Sequence, residues 1–338
     1  MRGKRELVSD LFAATGATWL LEHIPHRPVL MILNYHRIGD REATEYDPGL
    51  FSCTAEEFDW QIGYLKRHFR MTTLDEVLGL LSGEGRIAEP RVLITFDDGY
   101  LDNYQVAYPV LQRHGVQGVF FLPTAFAGTG RIPWWDEIAY IVRHSRRTRF
   151  RLEYPQSQDF DLEIDGVARS IMNILRLYKQ PAMLDHARFV EQLERACDSS
   201  RPGSGAQRCF LDWNEAREMQ QGGMAFGSHT HNHEILSKLP ARSQLEELTV
   251  SREILEKELG RTIDTLAYPV GARDTFSAET VGALQQAKYR AAFSFYAGFN
   301  SAGKMAPFDI RRCGVDQQSR KRLRLQTAIG SHAGNIWF

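Results

Sequence analysis

The run Ile94-Thr95-Phe96-Asp97-Asp98-Gly99-Tyr100 sets the end of an apolar strand directly against two adjacent carboxylates and a glycine. The carboxyl edge of a parallel strand is where barrels and open α/β sheets gather their sites, because the loops there converge on one cavity. Neighbouring residues on a strand point to opposite faces, so two working carboxylates need the chain to turn between them, and Gly99 permits that turn. Taken alone, Asp-Gly also begins an ordinary solvated turn, so the run needs a partner elsewhere in the chain.

Working outward, short apolar runs alternate with helical patterns from end to end, the signature of parallel strands joined by helical crossovers. Strands are expected at 29–35, 92–96, 118–123, 224–227, 265–268 and 291–295, with a weaker one near Ile310. The fold class is therefore α/β, and about seven strands suit a barrel. Thr54 before Glu57 forms a capping box that opens a helix to His68, and Asp102 is placed to cap another that runs to His114 and ends at Gly115. From about Trp134 to Met219 the rhythm breaks, which reads as a helical insertion in one domain. Residues 1–28 form an amino-terminal helical segment, 29–315 the barrel and 316–338 a basic tail. Within the first segment a helix from Glu6 to Leu21 carries Leu7, Leu11 and Ala14 as an apolar stripe, which could pack on the barrel or lie on a membrane surface.

The 338 residues, 43% hydrophobic and 25% charged, have ordinary globular composition. Forty-one Lys and Arg against 42 Asp and Glu leave a net charge of −1, so no global field exists to gather nucleic acid. Cys53, Cys197, Cys209 and Cys313 have no CxxC spacing and read as reduced thiols. No apolar run reaches the ~20 residues of a spanning helix. Arg2, Lys4 and Arg5 precede an apolar stretch, but Glu6 and Asp10 interrupt it and no small-residue cleavage site follows, so a cytoplasmic location is expected.

The partner of the carboxylate run is Gly227-Ser228-His229-Thr230-His231-Asn232-His233, again directly after a short apolar strand. If this segment is helical, His229 and His233 share a face one turn apart, the HxxxH spacing that chelates a divalent metal through neutral imidazoles. One carboxylate, from Asp97 or Asp98, would complete a His2Asp set with open positions for water and substrate.

The TFDDG run at 95–99 and the HTxxH run at 229–233 resemble the first two motifs of the polysaccharide deacetylases, carbohydrate esterase family four with its NodB-homology domain. The resemblance covers roughly 29–315 and implies a distorted (β/α)7 barrel. It further implies that Asp97 is the general base, that Asp98 joins His229 and His233 on the metal, and that Thr230 braces the histidine loop. Zinc is the first expectation, with cobalt, nickel or iron also suited to this donor set. A third family motif, Arg-x-x-Pro-Tyr, matches 266–270 in part: Leu266 stands where the base-pairing arginine belongs, and Val270 replaces the final tyrosine. Arg273, Arg311 and Arg312 are the candidates for the missing cation. Tyr268 and the Val270 backbone N–H are assigned to the substrate and the oxyanion.

The family's final Leu-x-His motif is missing, so a general acid must come from elsewhere. His36, at the end of Leu33-Asn34-Tyr35-His36-Arg37, opens onto the same edge as Asp97. It is similar in place to the Tyr-His acid of the permuted deacetylases that process biofilm glucosamine polymers. Trp134 and Trp135 offer a sugar platform or simply core. The basic clusters at 146–149 and 320–324 read as solvated faces or as contacts for a lipid pyrophosphate. The expected function is metal-dependent removal of acetyl groups from N-acetylated sugars of a polysaccharide or lipid-linked precursor, with peripheral membrane contact through the amino-terminal segment. The rivals are a catalytically silent glycan-binding module and an iron oxygenase using two histidines and a carboxylate.

Overall fold

The computed structural model describes residues 4–203, 208–296, 298–301, 305–315 and 319–333. Its main sheet is built from β1 (Val29–Tyr35), β2 (Arg91–Phe96), β3 (Gly118–Leu122), β4 (Ala225–Ser228), β5 (Thr265–Ala267), β6 (Ala291–Ser294), β7 (Asn300–Ser301) and β8 (Ile310–Arg311). The strand order is β7-β1-β2-β3-β4-β5-β6-β8, and a further short strand, β9 (Cys313–Gly314), pairs back onto β1. The chain from Ile310 to Gly314 thus bridges β6 and β1, nearly closing a barrel-shaped sheet of eight strands in a mixed α/β fold, the distorted (β/α)7 barrel expected. All six well-defined strands anticipated from the sequence form, with no end shifted by more than one residue.

The strands are apolar on both faces because both faces are covered. On one face Leu30, Ile32, Leu93, Val119, Phe121, Phe293 and Ile310 pack together. On the other, Leu33, Tyr35, Ile94, Phe96 and Phe120 meet Phe58, Ile62 and Leu65 of the helix Ala55–His68. That helix starts at Thr54, whose hydroxyl accepts the Glu57 N–H, but the capping box is only half formed because the Glu57 carboxylate pairs with Arg320. Parallel pairing of β1 and β2 aligns Asn34 with Thr95 and Tyr35 with Phe96. Alternation by two then puts the two polar residues on the same face as Leu93 and Ile32.

Asp102 does not cap a helix. Its carboxylate accepts from Arg37 Nε at 2.9 Å and from the Ile38 N–H at 3.0 Å, and the chain enters the helix Tyr108–His114 through a π turn at Asn103–Ala107. Gly115, at φ 62°, ends it. The amino-terminal segment is two helices rather than one, Lys4–Ala14 and Ala17–His23, broken at Gly16. The apolar stripe is not buried: Leu7 and Leu11 are exposed. Polar contacts hold this segment instead, with Ser319 donating to Glu6, Lys321 paired with Asp10 and Arg324 paired with Glu22. The expected basic tail is largely the helix Arg320–Ala333, and Arg320 is spent on Glu57, so this cluster is no free anion-binding face. Residues 316–318 and 334–338 of that tail, like Arg2, lie outside the described residues.

Residues 40–51 and 129–209 form a second compact unit. The insertion ends at 209 rather than 219 because the helix Trp213–Gln221 places Ala216 and Met219 in the barrel's helix-side core. Residues 40–51 join the second unit, where the Asp47 N–H donates to the buried Asp136. Trp134 and Trp135 are buried within this unit, and Trp134 stacks on Tyr178 at 4.3 Å between ring centroids. They are core side chains, not an exposed sugar platform. None of the four cysteines is in a disulfide, and no helix among the described residues is long and apolar enough to cross a membrane.

Candidate active site

The site forms at the carboxyl ends of β1, β2, β4 and β5. Asp97 follows β2 directly, its N–H bonded to the Tyr35 carbonyl. The turn that frees both carboxylates is made by Asp98 as well as Gly99, at φ 71° and 69°. A Cβ on Gly99 would lie 2.5 Å from Leu122 Cδ2, so the second of these positions is restricted to glycine by space as well as by backbone.

Asp97 is enclosed by a buried polar network. Arg312, which has no exposed surface, donates from Nη1 to Oδ1 at 2.7 Å and from Nη2 to Oδ2 at 2.8 Å. Asn34 Nδ2 donates to Oδ2 at 2.9 Å, while Asn34 Oδ1 accepts from Thr95 and from Arg312, both at 2.7 Å. Burial by itself would raise the Asp97 carboxyl, but the guanidinium charge and its hydrogen bonds outweigh it and hold the group well below the usual carboxylate range. Of the three arginines able to replace the motif cation, Arg312 is the one in contact with Asp97. It arrives from the closing corner of the barrel, between β8 and β9.

Asp98 has different neighbours. Its Oδ1 is buried without a hydrogen bond, 3.6 Å from His229 Nε2 and 3.3 Å from His233 Nε2. The segment carrying the histidines is a loop, not a helix turn, and the two rings meet because Thr230 and His233 take positive φ values of 64° and 59°. His229 Nδ1 lies 2.7 Å from the Ala267 carbonyl, which can only accept, so the proton sits on Nδ1 and the Nε2 lone pair faces Asp98. Burial lowers the His229 pKa to about 4, so the ring is neutral at pH 7. A lone pair facing a carboxylate oxygen is repulsive unless a cation lies between them. One nitrogen from each histidine and one Asp98 oxygen all fall within 4.8 Å of one another, a set that fits a divalent ion of the kind bound by two imidazoles and a carboxylate.

The loop is not braced by the Thr230 hydroxyl, which is buried and has no partner among the described residues. The Thr230 N–H donates to Ser228 Oγ at 3.1 Å, and Glu247 accepts the N–H groups of His231 and Asn232 at 2.9 and 2.7 Å. His231 turns away, its Nδ1 2.8 Å from Thr124 Oγ1, and His332 lies in the terminal helix layer against the Leu21 carbonyl.

His36 reaches the site with Nε2 at 4.0 Å from Asp97 Oδ2. It stands beside Asp97 rather than across from it, because the register pairing Tyr35 with Phe96 makes His36 and Asp97 the next neighbours. Its backbone is clamped on both sides, N–H to Ser52 Oγ at 3.1 Å and carbonyl to Asn103 Nδ2 at 2.7 Å. Val270 sits at φ 63°, unusual for a β-branched residue, and its N–H has no hydrogen-bond partner among the described residues. Tyr268 is not a substrate contact: it is buried, stacked on Phe276 at 4.1 Å, and its hydroxyl donates to the Phe308 carbonyl. Alternation sends Tyr268 into the helix-side core with Leu266, away from the loop edge. Asn34, Ser52, Asn103 and Glu247 escape a reading of the sequence. The one visible hint is Asn34, a polar residue inside the otherwise apolar run 29–35 whose burial demands partners.

The family model described as polysaccharide deacetylase matches residues 84–147 and 158–292. The curated Bacillus subtilis (strain 168) protein YxkH, whose name assigns it provisionally to the same group, is 33% identical over 107 residues, 31% of this chain. The match spans 35% of that relative's length. Among solved structures, the Streptococcus pyogenes deacetylase PplD in complex with acetate aligns with TM-score 0.58 at 19% identity, over 89% of this chain and 98% of its own. IcaB from Ammonifex degensii aligns with TM-score 0.56 at 20% identity, over 90% and 97%. A de-N-acetylase from Aggregatibacter actinomycetemcomitans aligns with TM-score 0.55 at 16% identity, over 88% and 98%. These likenesses show a shared barrel, and the family model, spanning more than half of the chain, carries the assignment: the chain belongs to the polysaccharide deacetylase family.

Proposed function

We propose that this chain is a divalent-metal-dependent N-deacetylase acting on N-acetylated sugars of a polysaccharide or a lipid-linked glycan precursor. One observation carries the reading: one potential ligand atom from each of Asp98, His229 and His233 converges at the same strand edge where an independently satisfied carboxylate, Asp97, is held ionised. A silent glycan-binding module has no use for such a pair of opposed arrangements.

Asp98, His229 and His233 would hold the ion, with zinc the first expectation and cobalt, nickel or iron compatible with the same donors. Bound there, the ion would supply Lewis-acid polarisation of the acetamide carbonyl and a water acidified toward neutrality. Asp97 takes the proton of the attacking water. A carboxylate offers about four acceptor positions, and three are filled by Arg312 and Asn34, which leaves one on Oδ1. The Val270 N–H donates to the developing oxyanion, in a backbone conformation already set before substrate arrives. His36 gives a proton to the departing amine, a step that typically contributes ~10²- to ~10⁴-fold.

Acetate release from defined N-acetylated oligosaccharides, measured before and after chelation and with metal restored, tests the reading. Turnover that survives complete metal removal overturns it. His36→Ala should retain metal and lose amide hydrolysis far more than aryl acetate hydrolysis, because an aryloxide leaves without a proton. Equal losses on both substrates take His36 out of the mechanism. Peripheral membrane contact has one physical support, the exposed Leu7, Leu11, Trp19, Leu20 and Ile24 of the amino-terminal segment. Sedimentation with anionic vesicles should fall for Leu11→Ser/Trp19→Ser, and unchanged sedimentation removes that contact.

A further inference from the structure

Two of the three arginines that follow the site strands do not touch Asp97. Arg273 comes three residues after Val270, and Arg311 ends β8 immediately before Arg312. Both converge on one aromatic ring, with guanidinium carbons 4.6 and 5.5 Å from the Tyr296 centroid. Tyr296 follows Phe295, whose own ring lies 5.7 Å from that of His36 and 5.6 Å from the Arg312 guanidinium. The pair therefore borders the reaction site along the ends of β5, β6 and β8.

Neither guanidinium has an acidic partner within salt-bridge distance among the described residues, in contrast to Arg37 with Asp102 and Arg312 with Asp97. Asp309 is the carboxylate at this ring, and its two oxygens accept from Ser294 and from the Tyr296 hydroxyl. Asp274, next in sequence to Arg273, is exposed. Arg311 is also preset. Its backbone exchanges hydrogen bonds with Asn300 at 3.0 and 2.8 Å, and its stem crosses Gly298, where a Cβ would meet Arg311 Cδ at 2.5 Å. A guanidinium stacked on a ring spends its face and keeps its in-plane N–H donors, the fork that fits carboxylate and phosphate.

We infer that Arg273, Arg311 and Tyr296 form an anion subsite, and that the preferred substrate carries a carboxylate or phosphate on the sugar next to the one that loses its acetyl group. This rests on the deacetylase reading above and narrows its substrate class.

The test compares three probes on the metal-loaded full chain: the neutral N-acetylglucosamine trisaccharide, an oligosaccharide alternating N-acetylglucosamine with glucuronate, and a phosphate-bearing N-acetylglucosaminyl oligosaccharide. Wild type should favour at least one anionic probe by about tenfold in kcat/KM, through KM, with the advantage shrinking as salt is added. Arg273→Gln/Arg311→Gln should erase that ratio, and the exposed single variant Arg273→Glu should reverse it. Which anion is favoured tells the carboxylate source from the phosphate source. A wild-type ratio near one, or a ratio unchanged in the variants, overturns the subsite. Equilibrium binding of the same probes gives a readout independent of turnover. If no probe releases acetate, the deacetylase reading fails, and tighter anionic binding that the double variant loses still upholds the subsite, whereas equal affinities overturn it.

Discussion

The half of the site around Asp97 is closed, and the half around Asp98 is open. Asp97 has its charge matched by a fully buried arginine and three of its acceptor positions filled. Asp98, one residue on and just as buried, faces two imidazole nitrogens and has an oxygen with no hydrogen bond. One strand end thus places the same side chain in two chemically different settings. An enclosed cation keeps one carboxylate ionised and oriented, and two imidazole nitrogens beside its neighbour leave that one arranged as a ligand would be. The positive φ at Asp98 is what sends the two into different surroundings.

The sharpest break of this comparison is loss of the open half. Asp98→Ala, His229→Ala and His233→Ala should each lower metal content in elemental analysis and cut turnover on the order of 10³-fold or more. Full stoichiometric metal in all three would end the ligand assignment. Asp97→Asn attacks the closed half and should do the reverse, keeping metal while turnover falls roughly 10²- to 10⁴-fold, because an amide cannot take the water's proton.

Arg312→Met should show up first in stability. It strands Asp97 as an uncompensated buried charge, a loss of about 3–5 kcal/mol by denaturant titration, and Asp97→Leu in the same chain should recover much of it. An unchanged midpoint would mean that water reaches the network. The pH dependence of metal-free protein separates the halves by pH window, with one sign: both lose stability as pH falls. Asp97 is lowered in the fold, so its contribution is present above the unfolded carboxylate pKa and lost as pH falls through its native value. His229 is lowered from 6.5 to about 4, so the native ring stays neutral while the unfolded one takes a proton. Stability therefore drops, by on the order of 3 kcal/mol, as pH goes from 6.5 toward 4, and His229→Gln should flatten that slope. The smallest effect belongs to Glu247→Ala. It releases the N–H groups of His231 and Asn232 and should weaken metal binding by about 10- to 100-fold without touching a ligand.

The barrel strands were legible because buried parallel strands are continuous apolar runs and their ends are chemically abrupt, as at Phe96-Asp97 and Ser228-His229. The amino-terminal stripe stayed undecided between barrel and membrane for the opposite reason: a helical period says which residues share a face, not what covers it, and Leu7 and Leu11 face away from the barrel core. Trp134 and Trp135 stayed open between platform and core, and Tyr268 misled, because an aromatic residue near a motif looks the same in sequence whether it lines a groove or fills a core.

By itself the sequence determined the strand set, the pairing of a carboxylate run with a histidine run, and so the donor types that meet at one edge. Those follow from local hydrophobicity and side-chain chemistry, which the chain carries residue by residue. Only the tertiary structure decided which arginine serves Asp97, that His36 stands beside it, and that Asn34 ties Arg312 to Thr95. Asn34 and Arg312 are 278 positions apart, and what joins them is barrel closure through Ile310 to Gly314 onto β1. Register and closure are properties of the assembled sheet, set by packing that no single segment contains.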